Sequence, residues 1–163
     1  MKIRNLLIGS GLVYATGLAL YSVFIVKKGK EFETGLDKSS ESLDDSITYG
    51  GKSKSFNGQT MRDLHLGAFC GGMQLDFSDV VTEKSDYRMD VKIISGGFNI
   101  IVPDNFKLKF VDHCQFGCIA DNTVCKDPEN PVLLSVFADI KCGGLIFENA
   151  DLENTATDKC CSC

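Results

Sequence analysis

With 163 residues and 44% apolar side chains, the chain is long enough for one domain with its own core. Its net charge of −5 is uneven: residues 1–30 carry five basic and no acidic side chains, residues 31–60 sum to −3, and residues 61–163 sum to −7. An acidic domain has no electrostatic footprint for a phosphate backbone, which excludes nucleic acid as a partner.

The first element in chain order is an apolar helix. Leu6 to Val26 run uncharged for 21 positions, about 31 Å as a helix, enough to cross a bilayer's hydrocarbon layer. A cleaved secretory signal and a buried helix are the competing readings, but Lys27-Lys28-Gly29-Lys30 stands where a small-residue cleavage site is needed. Residues 1–30 are therefore expected to be a transmembrane anchor with basic flanks, touching membrane lipid and making this a single-pass protein of the cell membrane. Lys2 and Arg4 precede the span while Lys27, Lys28, Lys30 and Lys38 follow it, so the charge bias leans toward a cytoplasmic C-terminal domain.

Residues 31–46, rich in Ser, Asp and Glu, read as an acidic polar linker. From Ile47 onward short extended stretches alternate with turns. The strand candidates are Met61–Leu66, Met73–Phe77, Tyr87–Ile94, Phe98–Val102, Phe106–Val111, Val132–Val136 and Leu145–Phe147. In Met73-Gln74-Leu75-Asp76-Phe77 the alternation puts Met73, Leu75 and Phe77 on one face. No stretch after the anchor holds a helical period, so residues 47–150 are expected to be all-β.

Within that domain a glycine-centred unit recurs five times: Tyr49-Gly50-Gly51, Cys70-Gly71-Gly72, Ser95-Gly96-Gly97, Phe116-Gly117-Cys118 and Cys142-Gly143-Gly144. The first glycines are 21, 25, 21 and 26 residues apart, about one turn of a solenoid, and no unit this small buries an apolar face alone. Glycine at such corners lets backbones of adjacent layers approach closely. The fold expected is a right-handed parallel β-helix or β-roll of about five short coils. A β-sandwich or barrel is the runner-up, since Gly-Gly also makes hairpin turns and Asp79, Pro103-Asp104 and Asp127-Pro128 supply further turns.

Three segments, Gly67 to Asp79, Ile94 to Pro103 and Ile140 to Phe147, resemble the C-terminal domain of the bacterial cell-wall-active antibiotics response proteins, the LiaF-like group. The likeness spans about residues 60–150 and rests on Gly-Gly units followed by apolar alternation, with Val102-Pro103 after the middle unit. It implies a β-helical domain on a membrane anchor, in a family linked to envelope-stress signalling and without known catalytic residues. The chain departs from the family in having a single apolar span, and in placing Cys70, Ser95 and Cys142 where phenylalanine is usual before the glycines.

Candidate chemistry is sparse. Eight cysteines without regular spacing are expected as free thiols of a reducing compartment, with Cys70 and Cys142 packing at equivalent repeat positions. His113, Cys114, Cys118 and Cys125 have zinc-ligand chemistry but not the paired spacing of a knuckle. Residues 151–163 form a cysteine-containing tail in which Cys160, Cys161 and Cys163 are candidate reactive thiols. Gly50-Gly51-Lys52-Ser53 only resembles the end of a phosphate loop, and Asp76 and Asp79 are expected to face solvent. No cofactor, metal or enzymatic activity is expected. The function expected is a membrane-anchored interaction or regulatory module, with a membrane signalling protein or a second copy as partner, the latter through the Ile47–Phe56 end. The alternatives are a self-assembling tethered scaffold and a thiol or metal module.

Overall fold

The computed structural model describes residues 23–32 and 43–150. After a short helix over residues 23–32, six strands follow: β1 (Leu43–Ser55), β2 (Leu64–Asp76), β3 (Asp86–Ile93), β4 (Gly96–Val102), β5 (Phe106–Asn122) and β6 (Val132–Asn149). All their pairings are parallel, which removes the hairpin-built sandwich. The protein is thus mostly β, and β1 takes up residues 43–46 of the expected linker.

The long strands run straight through their Gly-Gly units. The N-terminal half of β2 pairs with β3 and its C-terminal half with β4, and β6 pairs with the same two strands on their other side. These four strands close a parallel barrel, with β1 added outside β2 and β5 outside β6. The expected β-helix is corrected accordingly: the strands do not stack in chain order, because β5 passes to the outside and β6 returns between it and the β3–β4 layer. The alternation of side chains gives the reason. Inward positions of β6 are uniformly apolar, with Leu134, Val136, Ile140, Leu145 and Phe147 buried. Those of β5 include Asp112 and Asp121, which stay exposed and suit an edge.

The barrel interior is filled by the apolar parity of each strand, including Leu64 and Leu66 from β2, Met89 and Ile93 from β3, and Phe98 and Ile100 from β4. Met73, Leu75 and Phe77 are buried and Gln74 exposed, as the alternation predicts. Phe77 stacks on Phe56 at 4.5 Å, and Phe110 meets Phe147 edge-on at 5.5 Å. Tyr87 is buried to its hydroxyl, which accepts hydrogen bonds from the backbone N–H groups of Glu83 and Lys84.

The membrane anchor is also corrected. Among the described residues no helix is long and apolar enough to cross a membrane. The described helical residues 23–32 include Lys27, Lys28, Lys30 and Glu31. They lie on the outer face of the sheet, with Gly29 against Thr48, Phe32 at 5.9 Å from Phe69, and the Lys92 amine 5.9 Å from the Phe32 ring. Residues 6–22 of the expected span lie outside the described residues. The expected single-pass placement is therefore not supported by any helix among the described residues.

Candidate functional site

The five glycine units come together as one column. Gly50 aligns with Gly71, Gly71 with Gly96, Gly96 with Gly143, and Gly143 with Gly117. Beside it run Gly51, Gly72, Gly97, Gly144 and, in the fifth unit, Cys118. Along this column the neighbouring backbone closes on Gly71, Gly96, Gly117 and Gly143, while nothing lies within 4 Å of the Cβ position on Gly50. A Cβ on Gly96 would overlap the carbonyl of Gly71, and one on Gly143 that of Gly96; these two also hold φ of 123° and 142°. No atom lies within 4 Å of the same position on Gly51.

The residue before each corner forms a third column. The end strands place aromatic side chains there, Tyr49 on β1 and Phe116 on β5, exposed at 77% and 76%. The middle layers place Cys70, Ser95 and Cys142. Cys70 and Cys142 therefore share a column, but the Ser95 layer separates their backbones by about two strand spacings, roughly 9.6 Å, too far for a disulfide. Cys70, Cys114, Cys118, Cys125 and Cys142 are all free thiols.

The two ends of the molecule differ in chemistry. On β1 the inward positions carry Asp45, Lys52 and Lys54. Both amines reach the Asp45 carboxylate, at 2.5 and 2.8 Å, and close the end of the core. Burial pushes this carboxyl up, but the hydrogen bonds and charges of Lys52 and Lys54 outweigh it and leave the group below its ordinary value of 3.8. On β5 the core is left open: Leu108, Phe110 and Cys114 pack against it half-buried. Loop 123–131 is held by the Val124 N–H donating to Asn149 Oδ1 (2.6 Å) and by Lys126 paired with Asp104 (2.7 Å). Asn149 is itself buried and donates to the carbonyls of Val102 and Pro103 at 3.3 Å, joining β4, β6 and this loop.

A shallow groove of about 460 Å3 crosses the outer face of β2, β3, β6 and β5. It brings His65 and His113, the only histidines of the chain, onto one surface. Its charges are largely committed to one another. Arg88 lies 4.4 Å over the Phe137 ring and donates to both oxygens of Asp90 at 2.8–3.1 Å, while His65 Nε2 sits 3.3 Å from Asp90. Sequence reasoning missed this groove, because 48 residues separate the histidines and only the strand register aligns them.

The remaining sequence candidates are dispersed. His113 and Cys114 are adjacent on a strand and so point to opposite faces, and among the described residues no group of three or more His, Cys, Asp or Glu is placed to hold a metal ion. Asp76 accepts hydrogen bonds from Ser78 and Asn57, and the Asp79 N–H donates to Asn57, so both serve the turns after β1 and β2. Gly50-Gly51-Lys52-Ser53 lies within strand β1, not before a helix. Cys160, Cys161 and Cys163 lie outside the described residues. No protein family, curated protein or solved structure matches this chain.

Proposed function

We propose that this chain is a non-catalytic protein-interaction module that takes a segment of its partner as an added strand along the outer edge of β5. The observation that carries this reading is the exposure of that strand: it runs for 17 residues at the end of the sheet order, with β6 as its neighbour among the described strands, and exposes Val111 and Phe116. Natural sheets protect such edges with charge, proline or a covering element. Here Lys107, Lys109, Asp112 and Asp121 supply charge, while residues 113–120 between them carry no Lys, Arg, Asp or Glu. An added strand gains main-chain hydrogen bonds along the edge and contacts with the alternate side chains. The groove supports binding over turnover, since its Arg88, Asp90 and His65 already satisfy one another. The resemblance to the LiaF-like group supports a regulatory use of that edge.

A photoreactive side chain at position 116 is expected to capture a protein in cells, and the same group at exposed Lys84 is not. Equal capture at both positions, or capture at 116 that persists when Val111 is changed to lysine, counts against the reading.

A further inference from the structure

The turn after β1 carries an amide that the fold holds back from reacting. We propose that Asn57 is a deamidation site kept closed by its hydrogen bonds to the turn after β2, and that its conversion, once the two turns part, prevents them from closing as before. The proposal is independent of the β5 reading.

The chemistry comes from the sequence. Asn57 is the only asparagine of the chain that is followed by glycine. With no Cβ on Gly58 to hinder the approach, its backbone nitrogen can give its proton to hydroxide and bond to Asn57 Cγ. The Cγ–Nδ2 bond then breaks, and the amide leaves as ammonia after taking a proton from water. A second water opens the resulting five-membered imide at either carbonyl, giving aspartate or isoaspartate, in which the main chain runs through the former side chain. One water is consumed in sum and one ammonia released, with no change of oxidation state.

The folded turn withholds both reacting groups. The Gly58 N–H donates to the Asp79 carbonyl at 2.7 Å, so the attacking nitrogen is engaged. Asn57 Nδ2 donates to Asp76 Oδ2 at 3.0 Å and to Ser78 Oγ at 3.3 Å, and Oδ1 accepts from the Asp79 N–H at 3.1 Å. Bringing Cγ onto the Gly58 nitrogen breaks these bonds together. Asn57 is exposed, so water reaches it freely and the hydrogen bonds, not burial, are the guard. The two turns are joined by the Phe56 N–H to Asp76, the Met61 N–H to Val81 and the Val81 N–H to Gln59, at 2.8 to 2.9 Å, beside the end strand β1. Such margins open at lower free energy than a core.

Conversion changes what the turn can accept. The Asp76 carboxylate only accepts and the Asp79 N–H only donates, so an amide between them satisfies both. An aspartate at this position keeps the second bond but sets an oxygen where Nδ2 stood, 3.0 Å from Asp76. Isoaspartate also lengthens the main chain between Phe56 and Gly58. Phe56 is buried and stacked on Phe77 at 4.5 Å, so a turn that no longer fits pulls directly on a core contact. The step runs one way, and each opening of the turn adds to it.

The test incubates the full chain at neutral pH, folded in buffer and unfolded in concentrated urea, and follows each asparagine by peptide mass spectrometry, with isoaspartate scored by enzymatic methylation. In urea Asn57 is expected to convert ahead of every other asparagine, and in buffer its conversion is expected to be slower by roughly tenfold or more. Asp76→Ala and Ser78→Ala, which each remove an anchor of the side chain, are expected to speed conversion in buffer several-fold; either suffices if the other does not fold. Asn57→Asp is expected to lower the urea midpoint. Equal rates in buffer and urea overturn the guard, and an Asn57 no faster than its fellows in urea overturns the site. A conversion rate unmoved in the folded anchor variants overturns the role of the hydrogen bonds, and an unmoved midpoint in Asn57→Asp overturns the effect on closure.

Discussion

At the scale of single residues, the corner glycines differ sharply in what they tolerate. Gly96 combines a φ of 123° with a neighbouring carbonyl where a Cβ would sit, so Gly96→Ala is expected to cost about 3 kcal/mol or more in urea unfolding. Gly51→Ala, with open space around it, is expected to stay within about 0.5 kcal/mol. Equal costs at the two positions would show that the column does not hold the corner. Asn149 is the other exacting position: its amide holds two carbonyls and its oxygen one N–H, all in a buried setting. Asn149→Ala is expected to lose about 2–4 kcal/mol through the groups left unpaired, with the larger part of the effect seen as faster amide exchange in loop 123–131. The glycine units and the Met73, Leu75, Phe77 parity were legible in the sequence because they depend only on local spacing. The roles of Asn149 and Asp45 were not, since each depends on strands far along the chain.

At the scale of elements, the two edge strands are opposites. The Asp45, Lys52 and Lys54 cluster lets polar side chains occupy inward positions of β1, and its stability follows pH with a definite sign. The folded Asp45 carboxyl lies below its ordinary value, so its contribution is present above pH about 4 and is lost as pH falls through the depressed folded value. Asp76, held by Ser78 and Asn57, and Asp104, held by Lys126, act in the same direction. Urea midpoints are expected to fall steeply below pH about 4, and Asp45→Asn is expected to flatten that fall. An unchanged slope in the variant would mean that other carboxylates carry it. On β5 the sequence did hold a signal, in Asp112 and Asp121 at inward parity, that this strand could not occupy the middle of a core. It was hidden by the likeness of the five glycine units, which made chain order look like spatial order.

At the scale of the whole molecule, parallel pairing and glycine alignment were accessible from repetition, whereas the path between layers was not. Repeats report that units stack, and the burial demands of each strand decide which unit lies inside. The same logic explains why the groove joining His65 and His113 could not be foreseen: its floor is made by β6 standing between β3 and β5. For the thiols, Cys142 is exposed and the other four described cysteines are partly covered. An alkylating reagent is expected to modify Cys142 ahead of Cys114, which packs against the core. Mass spectrometry of a time course checks this, and simultaneous modification would indicate a looser barrel than the packing implies.

The position of β6 has a consequence for synthesis. It is the last of the described strands to be made, yet β5 has no other neighbour and β3 and β4 each lack one side without it. On the ribosome, β1 to β4 can associate as they emerge, while β5 must wait with both edges bare until β6 arrives to slide between. A stop codon within residues 123–131 therefore leaves more than a shortened protein: it strands a 17-residue β segment beside an unclosed sheet. Such a product is a substrate for chaperones and proteases, and a hazard to every intact copy translated nearby.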